Sequence, residues 1–212
     1  MSTQRRRVLE NSGLISDGIY IEGLNGKFYT VDNWHGGNDA NSVVVASGDV
    51  KFRIALTQAP SYMTMGMVDS APLNDYMTAL DYDAALSDYD GAGNTAKIIQ
   101  SEYCSGTTYA AGYCNAFTFP DGKTKGYLPA LGQLHLVCAN SEALNTALSV
   151  CGGTVIPTES WSWSSTFSGI DISHSNRFCW MLGWGDCTLY QHSKYCGLST
   201  CQTIVRPFAD IS

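Results

Sequence analysis

The side chains most able to do chemistry lie in the last quarter of the chain. Half of the eight cysteines and two of the four histidines fall there, at Cys179, Cys187, Cys196, Cys201, His174 and His192. A thiol beside a base can act as a nucleophile, and thiols together with imidazoles can bind zinc. However, no two cysteines form the tight Cys-x-x-Cys pair usual in zinc sites, and the sequence positions no base beside a thiol. We therefore predict no metal site, no cofactor and no catalytic residue.

Large aromatic, sulfur-containing and hydroxyl side chains are mixed in the same segment, in Trp161–Thr166 and in Arg177–Gly185. Such varied side chains are more typical of a contact surface than of an ordinary core. Successive side chains of a strand point to opposite faces of the sheet. If Trp180, Leu182 and Trp184 face the core, then Cys179, Met181 and Gly183 face outward.

The composition excludes several classes of function. The 212 residues carry a net charge of −7, which disfavours nucleic-acid binding through a basic surface. No apolar run reaches the roughly 18 residues of a membrane span, so we expect no membrane insertion. The basic start, Met1–Gly13, lacks the apolar stretch of a secretion signal, and we expect synthesis in a cytoplasm with mostly reduced thiols.

Strands are predicted in the first quarter of the chain. A β pattern begins at Gly18, and Asn25-Gly26 marks a hairpin turn before a returning strand at 27–31. Two further strands are expected at Ser42–Ala46 and Val50–Leu56, separated by a turn around Gly48.

Helices are predicted in the middle of the chain. One covers Thr95–Cys114 with Asn94 as its cap, and a second has Pro129 in its first turn. A third starts at Asn140-Ser141 and ends at Gly152-Gly153.

Strands and loops alone are expected after Thr154, and there is no βαβ alternation. The order predicts an α+β fold in one domain, with the terminal strands meeting in one sheet. The methionines of the irregular segment 60–72 are expected to fill the core. The loop 88–94 is acidic, but it lacks the downstream glutamate of a calcium-binding hand.

Several short blocks together resemble one protein family. They are Tyr127–Leu134 (YLPALGQL), Cys151–Thr154 (CGGT), Trp163–Thr166 (WSST), Arg177–Leu182 (RFCWML) and Val205–Phe208 (VRPF), with Gly18–Ile21, Gly26–Tyr29 and Asp88–Gly91 upstream. They look like the C-type-lectin-fold group that includes the variable proteins of diversity-generating retroelements, many of which are phage tail adhesins. The resemblance spans roughly residues 13 to 212.

The family resemblance implies two main helices packed on a small antiparallel sheet, with long C-terminal loops that display a ligand-binding surface. It divides the chain into an N-terminal arm at 1–12 and a C-type-lectin-like domain at 13–212, with a variable region at about 160–208. Expected framework residues are Trp163, Trp180, Leu182, Trp184 and Arg206. Expected ligand-binding residues are His174, Asn176, Phe178, Cys179, Met181, Gly183, Asp186, Cys187, Tyr190, His192, Tyr195, Cys196, Leu198 and Thr200.

The retroelement members of the family rewrite asparagine codons at their adenines. Between Asp186 and Cys201, only Gln191 and Lys194 are residues that such a codon cannot produce. The Glu-Pro-Asn, Gln-Pro-Asp and Trp-Asn-Asp motifs of calcium-dependent lectins are absent from the sequence. We therefore do not expect calcium-mediated sugar binding, although a glycan ligand stays open.

The function that this resemblance implies is host recognition by a phage tail adhesin. The partners would be a cell-surface protein or glycan receptor and, through the arm, a phage tail or another assembly, possibly as a homotrimer. The location would be the virion, or else a bacterial cell surface. Two alternatives stay open: an oxidoreductase like the formylglycine-generating enzymes, using the C-terminal cysteines, and a purely structural virion protein.

Overall fold

The computed structural model describes residues 15–37, 39–66, 81–171, 176–193 and 203–211, without the side chains of residues 102, 103, 168–171, 176–178, 192 and 193. These residues form an α+β fold with two mainly antiparallel sheets. The expected class is therefore confirmed. The predicted arm at 1–12 and residue Met67 of the methionine-rich segment lie outside the described residues.

The first sheet contains strands from both parts of the chain, as the sequence predicts. Its order is β2-β1-β3-β4-β9. The strands are β1 Gly18–Gly23, β2 Phe28–Tyr29, β3 Ala40–Ser47, β4 Val50–Ile54 and β9 Phe208–Asp210. The two predicted tight turns carry glycines with positive φ, Gly26 at 73° and Gly48 at 56°, a backbone region that glycine enters without steric cost.

Short helices fill the middle of the chain. They are α1 Tyr82–Leu86, α2 Gly91–Ile98, α3 Glu102–Ser105, α4 Ala110–Ala116, α5 Leu131–Ala139 and α6 Ser141–Val150. The helix expected at Thr95–Cys114 is wrong, because three helices with different directions occupy that region. Gly112 shows why: a Cβ there would lie 2.3 Å from the carbonyl oxygen of Gly106, so α4 folds back tightly on the turn before it.

The start of α2 also differs from the prediction. Asp90, not Asn94, is its N-cap, and the Asp90 carboxylate accepts a hydrogen bond from the Gly93 N–H at 2.9 Å. Asn94 instead donates from its side chain to Asp88 at 2.8 Å. The two carboxylates of this loop are thus occupied with local hydrogen bonds that fix the entry to the helix.

The second sheet follows the helices and has the order β7-β6-β5-β8. Its strands are β5 Trp161–Asp171, β6 Asn176–Gly183, β7 Leu189–Ser193 and β8 Thr203–Ile204, of which β8 runs parallel to β5. Helix α5 packs on β5 and β6, and α6 packs on β1 and β3. The main core therefore lies between the two sheets and is filled by this helical pair.

The block Trp163–Thr166 connects the second sheet to its surroundings. The Trp163 indole donates to the carbonyl of Met63 at 2.9 Å, and the Ser164 hydroxyl donates to the carbonyl of Trp180 at 2.8 Å. Thr166 Oγ1 accepts from the Leu131 N–H at 2.8 Å and donates to Asp88 at 2.7 Å. The register between β5 and β6 shifts in this block, so its side chains serve the interior.

An ion pair is buried inside the first sheet. Arg53 on β4 donates two hydrogen bonds to Glu22 on β1, at 2.8 and 2.9 Å. Asn41 and Ser42 donate to the same carboxylate. Burial alone raises the pKa of Glu22, but the hydrogen bonds from these partners and the charge of Arg53 lower that pKa below its usual value.

Candidate functional site

Both faces of the second sheet are buried around strand β6. On one face, Trp180 and Leu182 pack with Leu131 and Leu134 of α5 in the main core. On the other face, a second apolar cluster surrounds Cys179 and Met181 of the strand. It contains Cys179, Met181, Trp163, Phe167, Met63, Met65, Ala110 and Ala111.

The outward orientation expected for Cys179, Met181 and Gly183 is therefore wrong. Cys179 is 0% and Met181 1% exposed, and Gly183 is also buried. The chain segment that holds Met63 and Met65 covers this face together with α4, and it turns an expected surface into a second core. A sequence signal for this exists, because an unbroken apolar run such as Phe178–Leu182 is typical of strands that are buried on both faces.

The five expected framework residues, Trp163, Trp180, Leu182, Trp184 and Arg206, are all buried. Arg206 donates to the carbonyls of Ala55 at 2.8 Å and Thr154 at 2.5 Å. Burial lowers the pKa of its guanidinium to about 10. Arg206 thus joins the chain before β9 to the end of β4 and to the loop that follows α6.

An aromatic pair emerges at the end of the second sheet. Tyr190 on β7 is 54% exposed, and its ring meets the half-buried ring of Trp161 edge-to-face at a centroid distance of 6.0 Å. These two strands lie on either side of β6, about 10 Å apart. Both rings lean over β6, and the Trp161 ring lies 3.2–3.4 Å from the position of an added Cβ on Gly183.

Gly183 thus has a different role from the one expected. Gly183 is buried, and because it has no side chain, the Trp161 ring can lie against its backbone. Trp161 pairs with Gly183 in the strand register, and Tyr190 pairs with the neighbouring Met181.

The turn between β6 and β7 carries two more of the expected ligand-binding residues. Asp186 is exposed, and hydrogen bonds from Thr188 lower the pKa of its carboxyl. Cys187 is half-buried and forms a disulfide with Cys138 of α5, with a Cα–Cα distance of 5.8 Å. This pair is thus oxidised, whereas the other four described cysteines are free thiols.

The remaining expected ligand-binding residues receive no side-chain placement. Asn176 and Phe178 lie on β6 and His192 on β7, all with side chains outside the description. Residues His174, Tyr195, Cys196, Leu198 and Thr200 lie outside the described residues.

A cleft of about 470 Å³ begins next to the aromatic pair, at Ser160. Its walls come from the chain before β5 and from the segment 58–62, with Tyr62 58% exposed at its rim. Glu159 supplies a carboxylate to the lining. Neither Tyr62 nor Trp161 was among the expected ligand-binding residues. The sequence contains a signal for Trp161, because this residue begins a strand and lies on the same face as Trp163, at the end of the sheet.

A second, larger cleft of about 630 Å³ lies on the first sheet, beyond the hairpin of β1 and β2. It is lined by Leu24, Tyr29, Trp34, His35 and Asp39 among others. Asn25 and Asn33 of this lining donate their side-chain hydrogen bonds to Tyr29 and Thr30 within the same segment.

The free thiols of the described residues lack the features of catalytic cysteines. Cys104, Cys114, Cys151 and Cys179 are buried, and burial raises the pKa of each thiol, that of Cys151 to about 11. A reactive cysteine needs the opposite environment, one that stabilises the thiolate. Within the described parts of the chain, no group of three or more His, Cys, Asp or Glu residues is arranged to hold a metal ion.

None of the described helices has both the length and the apolar character needed to cross a bilayer. Comparison of the chain with protein-family models, with characterised proteins and with solved structures gave no significant match.

Proposed function

We propose that the chain is a receptor-binding adhesin whose recognition surface consists of Trp161, Tyr190, Asp186 and the adjoining cleft with Tyr62. The observation that carries this proposal is the exposed aromatic pair. Tyr190 is exposed and Trp161 half-buried, at the end of a sheet whose other described side chains are largely buried on both faces. Single exposed tyrosines occur elsewhere on the described surface, but here two aromatic rings in contact form a patch beside a cleft, and such patches often mark binding sites.

The rigidity of this surface supports a binding role. Aromatic rings provide contact area with only two side-chain rotations to restrict, and rings that anchor an interface contribute up to a few kcal/mol each. Here the Trp161 ring is already held by Gly183 and by the Tyr190 ring. Little conformational entropy is therefore lost when a partner binds.

The chain order supports the finer proposal of a C-type lectin fold. Strand β4 from the first half of the chain pairs antiparallel with β9 from its end, and helices α1 to α6 lie between these two strands in the sequence. Helices α5 and α6 pack against the two sheets, and the second sheet follows them with its exposed turn. This arrangement agrees with the order of elements that the sequence resemblance implies.

The wider setting of the proposal is a phage tail or a related bacterial surface, with residues 1–12 as the attachment arm. A trimeric adhesin would gain avidity, since linked binding sites can raise a weak affinity by about 10² to 10⁴-fold. The diversified positions would fall between residues 160 and 208. The likeness of the sequence blocks is the support for these parts of the proposal.

The burial of the free thiols weighs against the oxidoreductase alternative. Cys179 is the one cysteine of the C-terminal group that is both described and free, and it lies inside the second core with a raised thiol pKa. Binding of a receptor by Trp161 and Tyr190 does not depend on a reactive thiol.

The proposal is tested by binding of the labelled protein to a panel of intact bacterial strains, measured by flow cytometry. We expect that the double variant Trp161→Ala, Tyr190→Ala loses at least tenfold in apparent affinity for any strain that the wild type binds, because both anchors are removed. Tyr89→Ala is the matched control, since Tyr89 is a tyrosine exposed to 41% on the loop before α2. Undiminished binding by a correctly folded double variant would show that recognition takes place elsewhere.

A further inference from the structure

The recognition surface is covalently connected to the scaffold at one point. The disulfide between Cys138 and Cys187 closes a separation of 49 residues, and it joins α5 to the turn between β6 and β7. Cys138 lies in the main core, whereas Cys187 lies on the turn beside the exposed Asp186. The bond therefore connects the main core to the turn that carries the proposed recognition residue Asp186.

The tip of this turn has few contacts with the scaffold besides the disulfide. Its start is anchored by the buried Trp184, whose N–H donates to the Ser160 carbonyl at 3.0 Å. Within the turn, the Gly183 N–H donates to the Thr188 carbonyl at 2.8 Å and the Thr188 N–H donates to the Asp186 carboxylate at 3.0 Å, whereas Gly185, Asp186 and Thr188 are exposed. Cys187 has a φ of 56° and is the only non-glycine residue with positive φ among the described residues. Side chains disfavour this conformation, so the turn needs an external restraint to keep it.

The geometry of the turn determines the position of the aromatic pair. Leu189 follows the turn immediately and pairs with Leu182, and Tyr190 pairs with Met181. Leu189 packs in the main core, so Tyr190 points to the opposite side, where it meets Trp161. If the backbone of Cys187 leaves its left-handed conformation, the start of β7 shifts, and Tyr190 moves relative to Trp161.

The two cysteines differ in burial. Cys138 is 4% exposed, whereas Cys187 is half-buried on the turn. We therefore expect an attacking thiolate to approach the sulfur of Cys187, with the Cys138 sulfur as the leaving group. The Cys138 sulfur lies 3.6 Å from the carbonyl oxygen of Trp184, which can accept a hydrogen bond from the thiol that forms. The scaffold can therefore accommodate the reduced state.

We propose that this disulfide is a redox-sensitive lock on the recognition surface. A small dithiol reduces it in two exchange steps: its first thiolate forms a mixed disulfide with Cys187, and its second thiolate releases that bond. The protein gains two thiols, and the dithiol becomes a cyclic disulfide, so two electrons and two protons are transferred. In the oxidised state the turn is fixed, whereas in the reduced state it opens without unfolding the core.

The effect on binding rests on the proposed function, whereas the effect on the turn does not. Hydrogen exchange followed by mass spectrometry measures the turn directly, on the full chain with and without dithiothreitol. We expect amides of residues 184–190 to exchange about tenfold faster or more after reduction, since exchange follows the free energy of local opening. Amides of β3 should not change. The Cys187→Ala variant should show the fast rate in both conditions, and Cys151→Ala, which removes a buried free thiol, should respond like the wild type.

Two results would overturn the lock: complete alkylation of Cys138 and Cys187 in protein kept free of reductant, or equal exchange of the turn with and without dithiothreitol. Cell binding separates this proposal from the function. Loss of binding in the Tyr190→Ala variant, with wild-type binding insensitive to dithiothreitol, rejects control by the disulfide and leaves the recognition surface in place. Unchanged binding by Tyr190→Ala rejects that surface, and the exchange data still decide whether the turn is locked.

Discussion

Gly183 shows how much a single residue without a side chain can determine. It lies within β6 between two cores, and the Trp161 ring occupies the space beside it. The sequence predicted only that this position alternates with Trp184 and Leu182. It could not predict that the free space would be filled by a ring from β5, because the pairing of the strands is a long-range property.

A methyl group at Gly183 is predicted to displace the Trp161 ring. The added Cβ would lie 3.2–3.4 Å from three atoms of that ring, which is tighter than ordinary contact. We expect Gly183→Ala to lower the free energy of unfolding by about 1–3 kcal/mol, the usual cost of overpacking. It should also weaken cell binding, since Tyr190 loses its ring contact. Urea denaturation and flow cytometry measure the two effects.

Gly106→Ala is the control for this substitution. A Cβ at Gly106 would make ordinary contacts at 3.6–3.7 Å, so its stability should change much less. If Gly183→Ala is as stable as the wild type and binds as well, the Trp161 ring is not held in the way described.

The elements differ in how far the sequence predicts them, and the physical reasons can be named. The hairpins and α6 are local structures, and the glycines Gly26, Gly48 and Gly152 predict the turns that bound them. The region of α2 to α4 was predicted as one helix because its apolar spacing is helical, but tertiary contact of Gly112 with the Gly106 carbonyl decides the outcome. The sequence does not predict the second core, because the order of side chains along β6 contains no information about which distant segment covers its outer face.

Thr166 provides a test of how the second sheet supports helix α5. Its Oγ1 accepts from the Leu131 N–H in the first turn of α5 and donates to Asp88. Thr166→Val keeps the shape, leaves the buried Leu131 N–H without that partner and removes one of the donors to the half-buried Asp88. We expect a loss of about 1–3 kcal/mol in the free energy of unfolding, measured by urea denaturation.

Thr146→Val is the matched control, because the Thr146 hydroxyl donates to the Glu142 carbonyl on an exposed face of α6. Its effect should stay within about 0.5 kcal/mol. Equal stabilities of the two variants would argue against a structural role for the Thr166 hydroxyl.

At the scale of the whole molecule, the buried pair of Glu22 and Arg53 is predicted to set part of the acid stability. The pKa of Glu22 is lowered from 4.5 in the folded protein. The folded state therefore holds this proton less tightly than the unfolded state. The resulting stabilisation is complete above about pH 4.5 and is lost as the pH falls through the lowered pKa.

Replacing Glu22 by Gln should therefore have two effects. The free energy of unfolding should fall by about 3–5 kcal/mol at neutral pH, because Arg53 keeps a buried charge without its counterion. The further decrease below pH 4.5 should be smaller than in the wild type. Denaturation curves between pH 3 and 7 measure both, with Glu142→Gln as an exposed control. A variant that loses stability in acid as steeply as the wild type would contradict this role.

The α+β class and the single order of strands, helices and strands follow from periodicity and turns in the sequence. For the candidate site, the expected outward orientation fails at three residues that lie in or beside a core, whereas five expected residues lie outside the described chain and stay predictions. Exposure depends on which distant segment covers a strand, and no local pattern contains that information.

The position of β9 has a consequence for the synthesis of the protein. This strand follows the strands that carry the aromatic pair, and it completes the first sheet beside β4. A premature stop codon or a shift of reading frame anywhere between β5 and β8 would also delete the closing strand and Arg206. Such a polypeptide would lack both the strand that pairs with β4 and the guanidinium that donates to the carbonyls of Ala55 and Thr154. We therefore expect only chains translated in frame through β5 to β8 to complete the first sheet.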